Sequence, residues 1–112
     1  MTKKATHYID EQAKTKNPFF LYFPLPAPHA PILPTEQFLG KSNTNAYGGF
    51  VVMVDDVVKQ IMKAVSENNN EENTIIVFTS DNGSSPMANF KELEALGHFS
   101  NHHFRGHKAD II

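Results

Sequence analysis

Apolar and polar positions alternate along this chain in three distinct registers, and each register predicts a different element. Near the N-terminus Ala5, Tyr8, Ile9 and Gln12 fall on one face, with lysines and acids on the other. That spacing predicts a short amphipathic helix from about Lys3 to Lys14. Asn17-Pro18 stops it, because the residue before a proline is pushed out of the helical region. Phe19, Phe20, Leu21, Tyr22 and Phe23 then form an unbroken apolar run, which predicts a strand buried on both faces. Pro24, Pro26, Pro28, Pro31 and Pro34 follow, a loop too rich in proline for sheet or helix interior, with His29 at its centre. From Asn45 to Glu67 the period is helical again: Tyr47, Phe50, Val51, Val54, Val58, Ile61, Met62 and Val65 lie together, and Asp55, Lys59, Lys63 and Ser66 lie opposite. Asn68, Asn69 and Asn70 close that helix.

The third register is "IIVFTSDNGSSP", Ile75 to Pro86, where a β-branched and aromatic run breaks into an acid, an amide and a glycine. An Asn-Gly pair after apolar residues commonly signals a hairpin. Ser84 to Asn89, which follow Gly83, include no β-branched side chain and a proline that cannot donate to a ladder, so a returning strand is not expected. The alternative is a strand over Thr74 to Thr79, buried on both faces, that delivers Asp81 and Asn82 to its carboxyl end. Ligands bind at that end in open α/β sheets. The order strand, long helix, strand has the pattern of a parallel crossover, and places the His29 loop on the same sheet edge. The predicted fold class is therefore α/β, a partial parallel sheet with a crossover helix. Beyond Met87 the chain is polar and irregular, with one or two helical turns expected around Phe90 to Leu96.

Length and composition narrow the function classes. The 112 residues suffice for one domain and not two. Ten basic and twelve acidic residues give a net charge of −2, which leaves no electrostatic footprint for nucleic acid or an anionic membrane. Cysteine is absent, which removes disulfides, thiolate zinc sites and cysteine nucleophiles from this stretch. The sequence after Met1 has no apolar core of a signal peptide, and no segment approaches the ~20 apolar residues of a membrane span.

Taken singly, the chemistry-bearing residues each have an ordinary structural reading. Asp81 and Asn82 could cap a solvated loop or bind a cation. His29 is a loop histidine whose flanking prolines argue for rigidity, and Lys108 stands near the end of the sequence. Asp55 and Asp56 are adjacent in a helix and diverge by about 100°, so convergence on one ion is not expected. His98/His102 and His103/His107 have a spacing of four that could chelate zinc on a helix, but Gly97, Gly106, Phe99 and Phe104 argue against a helix there.

Together, "NPFFLYFPLPAPHAPILP", "EENTIIVFTSDNG" and "FRGHKADI" resemble the sulfatase family, of the arylsulfatase type within the alkaline phosphatase-like superfamily. The resemblance runs over nearly the whole chain with the motifs in order. It implies a fragment of a sulfatase fold, the C-terminal portion of a catalytic domain occupying residues 1–112. It also implies a hydrolase of sulfate esters that uses a formylglycine and one divalent cation, usually calcium. Asp81 and Asn82 would supply two ligands to the cation, and His29 and Lys108 would contact the sulfate or the leaving oxygen. The formylglycine arises in that family from a Cys/Ser-x-Pro-x-Arg motif, which this chain lacks together with an early pair of acidic ligands. Turnover by this chain alone is therefore not expected. A sulfated small molecule or glycan is the implied partner, and periplasmic or secreted relatives are implied for the full-length form. Two other classes stay open: a non-catalytic α/β segment that binds a cation or partner, and a phosphatase or phosphonate hydrolase of the same superfamily. The two apolar runs, with few helices to cover them, lead us to expect self-association.

Overall fold

Helical period in the sequence becomes helix in the structure, a computed structural model that describes residues 1–15 and 17–110. The helices are α1 (Thr2–Thr15), α2 (Ala46–Glu67) and α3 (Phe90–Ala95), with single tight helical turns at Glu36–Phe38, Glu71–Asn73 and Pro86–Ala88. The chain divides into two compact units. One comprises Met1–Leu25 and Val54–Val77, the other Pro26–Met53 and Phe78–Ile112. None of the described helices is long and apolar enough to cross a membrane.

In the first unit Ile9 of α1 is buried against Ala64 and Val65 of α2, and Phe19, Leu21 and Ile61 pack around them. Tyr8 meets Phe19 edge to face at 5.8 Å. The asparagine run ends α2 through its backbone. Asn69 takes a left-handed φ of 55°, and the amides of Asn69 and Asn70 donate to the carbonyls of Ser66 and Val65 at 2.9 and 3.1 Å. This is the Schellman closure, reached here with asparagine in place of glycine. Asn68 adds side-chain bonds to the Ala64 carbonyl and to Asp10 of α1.

The predicted parallel sheet is not found: among the described residues there is no strand, and no ladder joins the two apolar runs. Phe19 to Phe23 is buried on one face only, with Phe19, Leu21 and Phe23 turned inward and Phe20 and Tyr22 largely exposed. Ile75, Ile76, Val77 and Phe78 are all exposed, Ile75 at 92%. The α/β assignment, with its partial parallel sheet and crossover helix, is thus corrected to an all-helical fold with extended connections. The physical reason lies in what each element needs. A helix satisfies its own backbone, whereas a parallel strand needs neighbours for its ladder and cover on both faces. Two runs of this length meet neither requirement.

In the second unit Leu93 of α3 is buried with Tyr47 and Ala88, and Ile32 and Phe90 pack against them. Asn45 caps α2, its Oδ1 accepting the Gly48 amide at 3.3 Å. Its Nδ2 donates to the Ala88 carbonyl at 2.9 Å and to Glu92 at 3.0 Å, tying the helix start to α3. Gly48 and Gly49 stand in the first turn of α2, where glycine is a costly choice. Close packing explains both, since a Cβ on Gly48 would collide with the Thr44 hydroxyl and one on Gly49 would lie 2.7 Å from the Phe38 carbonyl oxygen. The segment after Gly83 is helical turn and helix, so the hairpin is absent, as the proline there predicts.

Two outcomes follow from this second core. Leu93 is 0% exposed, so Leu93→Ala is expected to lower stability by about 2–5 kcal/mol in urea unfolding. Leu96→Ala, at a residue 52% exposed, should change it by less than about 0.5 kcal/mol. Burial raises the Tyr47 phenol above its ordinary 10.0. Its contribution to stability is therefore fully present below the unfolded-state value and is lost as pH rises through the folded-state value. Thermal melts from about pH 9 upward should record that alkaline loss, and Tyr47→Phe should reduce it.

Candidate functional site

The second unit brings His29 and Lys108 together, 79 residues apart in sequence, with Lys108 Nζ 2.7 Å from His29 Nε2. Each is positioned from the core outward. Ile32 anchors the proline loop on the Leu93 cluster, and within that loop the His29 amide donates to the Pro26 carbonyl at 3.2 Å. His29 Nδ1 lies 2.7 Å from the Ala30 carbonyl oxygen. A carbonyl only accepts, so Nδ1 carries the proton, and Nε2 is left to accept from the Lys108 ammonium. On the other side, Phe90 leans on the same cluster and stacks on the His107 ring at 4.1 Å. The Lys108 amide donates to the Ser84 carbonyl at 3.0 Å. The result is an exposed imidazole paired with the ammonium of a half-buried lysine on two separately braced loops.

Asp81 and Asn82 lie in a bend after the extended Ile75 to Phe78 segment, three and two residues before Ser84. The bend is shaped locally. Ser80 Oγ donates to the Asn82 carbonyl at 2.8 Å, and Asn82 Nδ2 donates to the Gly83 carbonyl at 2.8 Å, while among the described residues no donor engages Asn82 Oδ1. Both side chains are exposed, and among the described residues no ion pair engages Asp81. A carboxylate and an amide oxygen are the hard donors calcium prefers, but they are two of the six to eight or so that it takes. Among the described residues no group of three or more histidine or acidic side chains converges on a metal position.

The histidine-rich tail is not helical. His102 and His103 meet edge to face at 3.8 Å, while His107 is taken up by Phe90 and Asp110. Arg105 is exposed at the rim of an open recess shared with Gly83, Asn101 and Gly106. Ile111, the last residue of the third sequence motif, lies outside the described residues.

Sequence reasoning missed Ser84, Asn101 and Gly106. Asn101 Oδ1 accepts from the Ser84 amide at 3.0 Å and from its hydroxyl at 2.7 Å, and Nδ2 donates to the Gly106 carbonyl at 2.9 Å. The available signal was indirect. Asn101 is the one amide side chain in that tail, able to donate and accept through adjacent atoms of one planar group, and glycines stand at both segments it joins.

The chain matches the family described as Sulfatase over residues 1–111. It is 39% identical over 98 residues to N-acetylgalactosamine-6-sulfatase of Mus musculus, a match covering 88% of this chain and 19% of that protein. It is 35% identical over 83 residues to N-acetylgalactosamine-6-O-sulfatase of Bacteroides thetaiotaomicron, covering 74% of this chain and 16% of that protein. Arylsulfatase D of Homo sapiens is 35% identical over 83 residues, 74% of this chain and 14% of that protein. The chain thus spans about a fifth or less of the length of these relatives. No solved structure matches it. With the family match spanning nearly every residue and the three motifs in order, this chain belongs to the sulfatase family.

Proposed function

We propose that this chain forms part of the active site of a sulfuric ester hydrolase, with His29 and Lys108 as the anion contacts and Asp81 and Asn82 as cation ligands. The contact between Lys108 Nζ and His29 Nε2 at 2.7 Å carries the reading, because it joins two of the three family motifs at one point. A tetrahedral ester presents oxygens that need fixed positive charge and hydrogen-bond donors. Lys108 offers three N–H donors on one cation, and His29 holds one of them in place through Nε2. An entering sulfate oxygen would take over that donor, and His29 Nε2, on taking up a proton from solvent, would donate to the leaving oxygen. Calcium is the cation class that the Asp81 and Asn82 oxygens suit, and its role would be to neutralise charge on the sulfate. Cysteine is absent, and no serine of this chain begins a Ser-x-Pro-x-Arg motif, so its residues do not fit a formylglycine. A sulfated carbohydrate is the favoured substrate class, supported by the names of the N-acetylgalactosamine-6-sulfatase relatives.

The test is a titration of the ¹⁵N-labelled chain with sulfate, followed through the His29 and Lys108 resonances. Both should shift together, and Lys108→Ala should weaken binding about tenfold or more, the scale of one charge-assisted hydrogen bond. Phosphate binding more tightly than sulfate would favour the phosphatase reading. Binding indifferent to Lys108→Ala and His29→Ala would refute the assignment. Calcium should bind weakly, and Asp81→Ala should abolish what binding there is. Hydrolysis of an aryl sulfate should be undetectable, since the nucleophile is absent.

The same chain is expected to self-associate. Phe20, Tyr22, Ile75 and Val77 are exposed at 86, 77, 92 and 78%, and support this reading. Light scattering should give a mass that rises with concentration; a monodisperse monomer throughout would overturn it.

A further inference from the structure

Asn101 touches neither His29 nor Lys108 through its side chain, yet three segments of the second unit meet on its amide. Its Oδ1 accepts from both the amide and the hydroxyl of Ser84, and its Nδ2 donates to the Gly106 carbonyl. The Ser84 hydroxyl has one proton, which it gives to Asn101, so in the 2.7 Å contact between Ser84 and Ser100 it is the Ser100 hydroxyl that donates. The Asn101 carbonyl also accepts the Phe104 amide at 3.0 Å, curling the chain back toward Gly106. Gly106 takes a φ of 90° and turns the backbone into His107 and Lys108.

The packing leaves little slack. A Cβ on Gly83 would collide with the Gly106 carbonyl oxygen and lie 2.7 Å from Asn101 Nδ2. Ser84 follows the Asp81-Asn82 bend, and its carbonyl receives the Lys108 amide at 3.0 Å. Ser84 is therefore held by Lys108 on one side and Asn101 on the other, while Asn101 also holds Gly106, two residues before Lys108.

We propose that Asn101 is a positioning residue, whose amide locks the segment carrying Lys108 to the segment carrying Asp81 and Asn82 and thereby sets the ammonium against His29. The functional half of this statement rests on the reading of His29 and Lys108 as anion contacts. Few other side chains would serve. Aspartate keeps both bonds to Ser84 but turns a carboxylate oxygen on the Gly106 carbonyl, and alanine loses all three bonds. Ser84-Ser85-Pro86 has the start of a Ser-x-Pro-x-Arg motif, but Ala88 stands in the arginine position and the Ser84 hydroxyl is engaged in this tie.

Two measurements on the full ¹⁵N-labelled chain test it: hydrogen exchange of individual amides, and the sulfate titration. In Asn101→Ala the Lys108 amide should exchange about tenfold faster or more, and sulfate affinity should fall about tenfold, each being the scale of one lost hydrogen bond. The amides of Leu96 and His98, which close α3, should keep their rates. Asn101→Asp should fall between wild type and Asn101→Ala on both measurements, and it keeps the proposal open to refutation where the alanine variant unfolds. An unchanged Lys108 rate in either variant, or equal acceleration of the Leu96, His98 and Lys108 amides, would overturn the positioning role. If Lys108→Ala leaves sulfate binding intact, the functional reading fails instead, and the exchange rates still decide whether Asn101 holds the two segments.

Discussion

The burial of Leu93 against Tyr47 and Ala88 is the interaction on which the candidate site depends. Neither loop of that site has a strand to stand on, and each leans on this cluster through an apolar side chain. Ile32 holds the proline loop in this way, and Phe90 holds the tail by stacking on His107. The 2.7 Å contact between Lys108 and His29 is thus a distant effect of a core only a few side chains in size. A small core has little redundancy, so a cavity at Leu93 would be felt at the ammonium without any change near it.

Polar order in this chain is carried mainly by asparagine. Asn45 fastens the start of α2 to α3, Asn68 fastens its end to α1, and Asn101 gathers three segments around Ser84. In a sheet protein the backbone ladder does this work over long stretches. Here, with no strand among the described residues, single amides bridge between segments, each able to donate and accept at once. Such ties are specific in geometry and individually modest in energy, about 0.5–1.5 kcal/mol each.

The helices were legible because their cause is local. The apolar stripe around Tyr47, Val54 and Val65 and the asparagine run after Glu67 give α2 nearly residue for residue. Ala5 and Ile9 likewise mark the buried face of α1. The strands were misread because an apolar run records only a capacity to be buried. Phe19 to Phe23 and Ile75 to Phe78 have that capacity, but a sheet also requires partners that no local pattern specifies. His29 and Lys108 were singled out by family motifs and not by periodicity, and their mutual contact is a finding of the structure. The Asn101 tie was invisible for a further reason. Its three bonds reach residues 17 and 5 positions away through loops, where sequence carries no regular period.

The extended Ile75 to Phe78 segment has a consequence for the life of the chain outside a test tube. Proteases bind their substrates as extended strands and read apolar side chains that protrude from them. This segment already has that shape, with all four side chains in solvent. Within the helices a protease must first unfold the backbone to gain a grip, whereas here no opening step is needed. The link after α2 is thus open to cleavage while both cores stay folded.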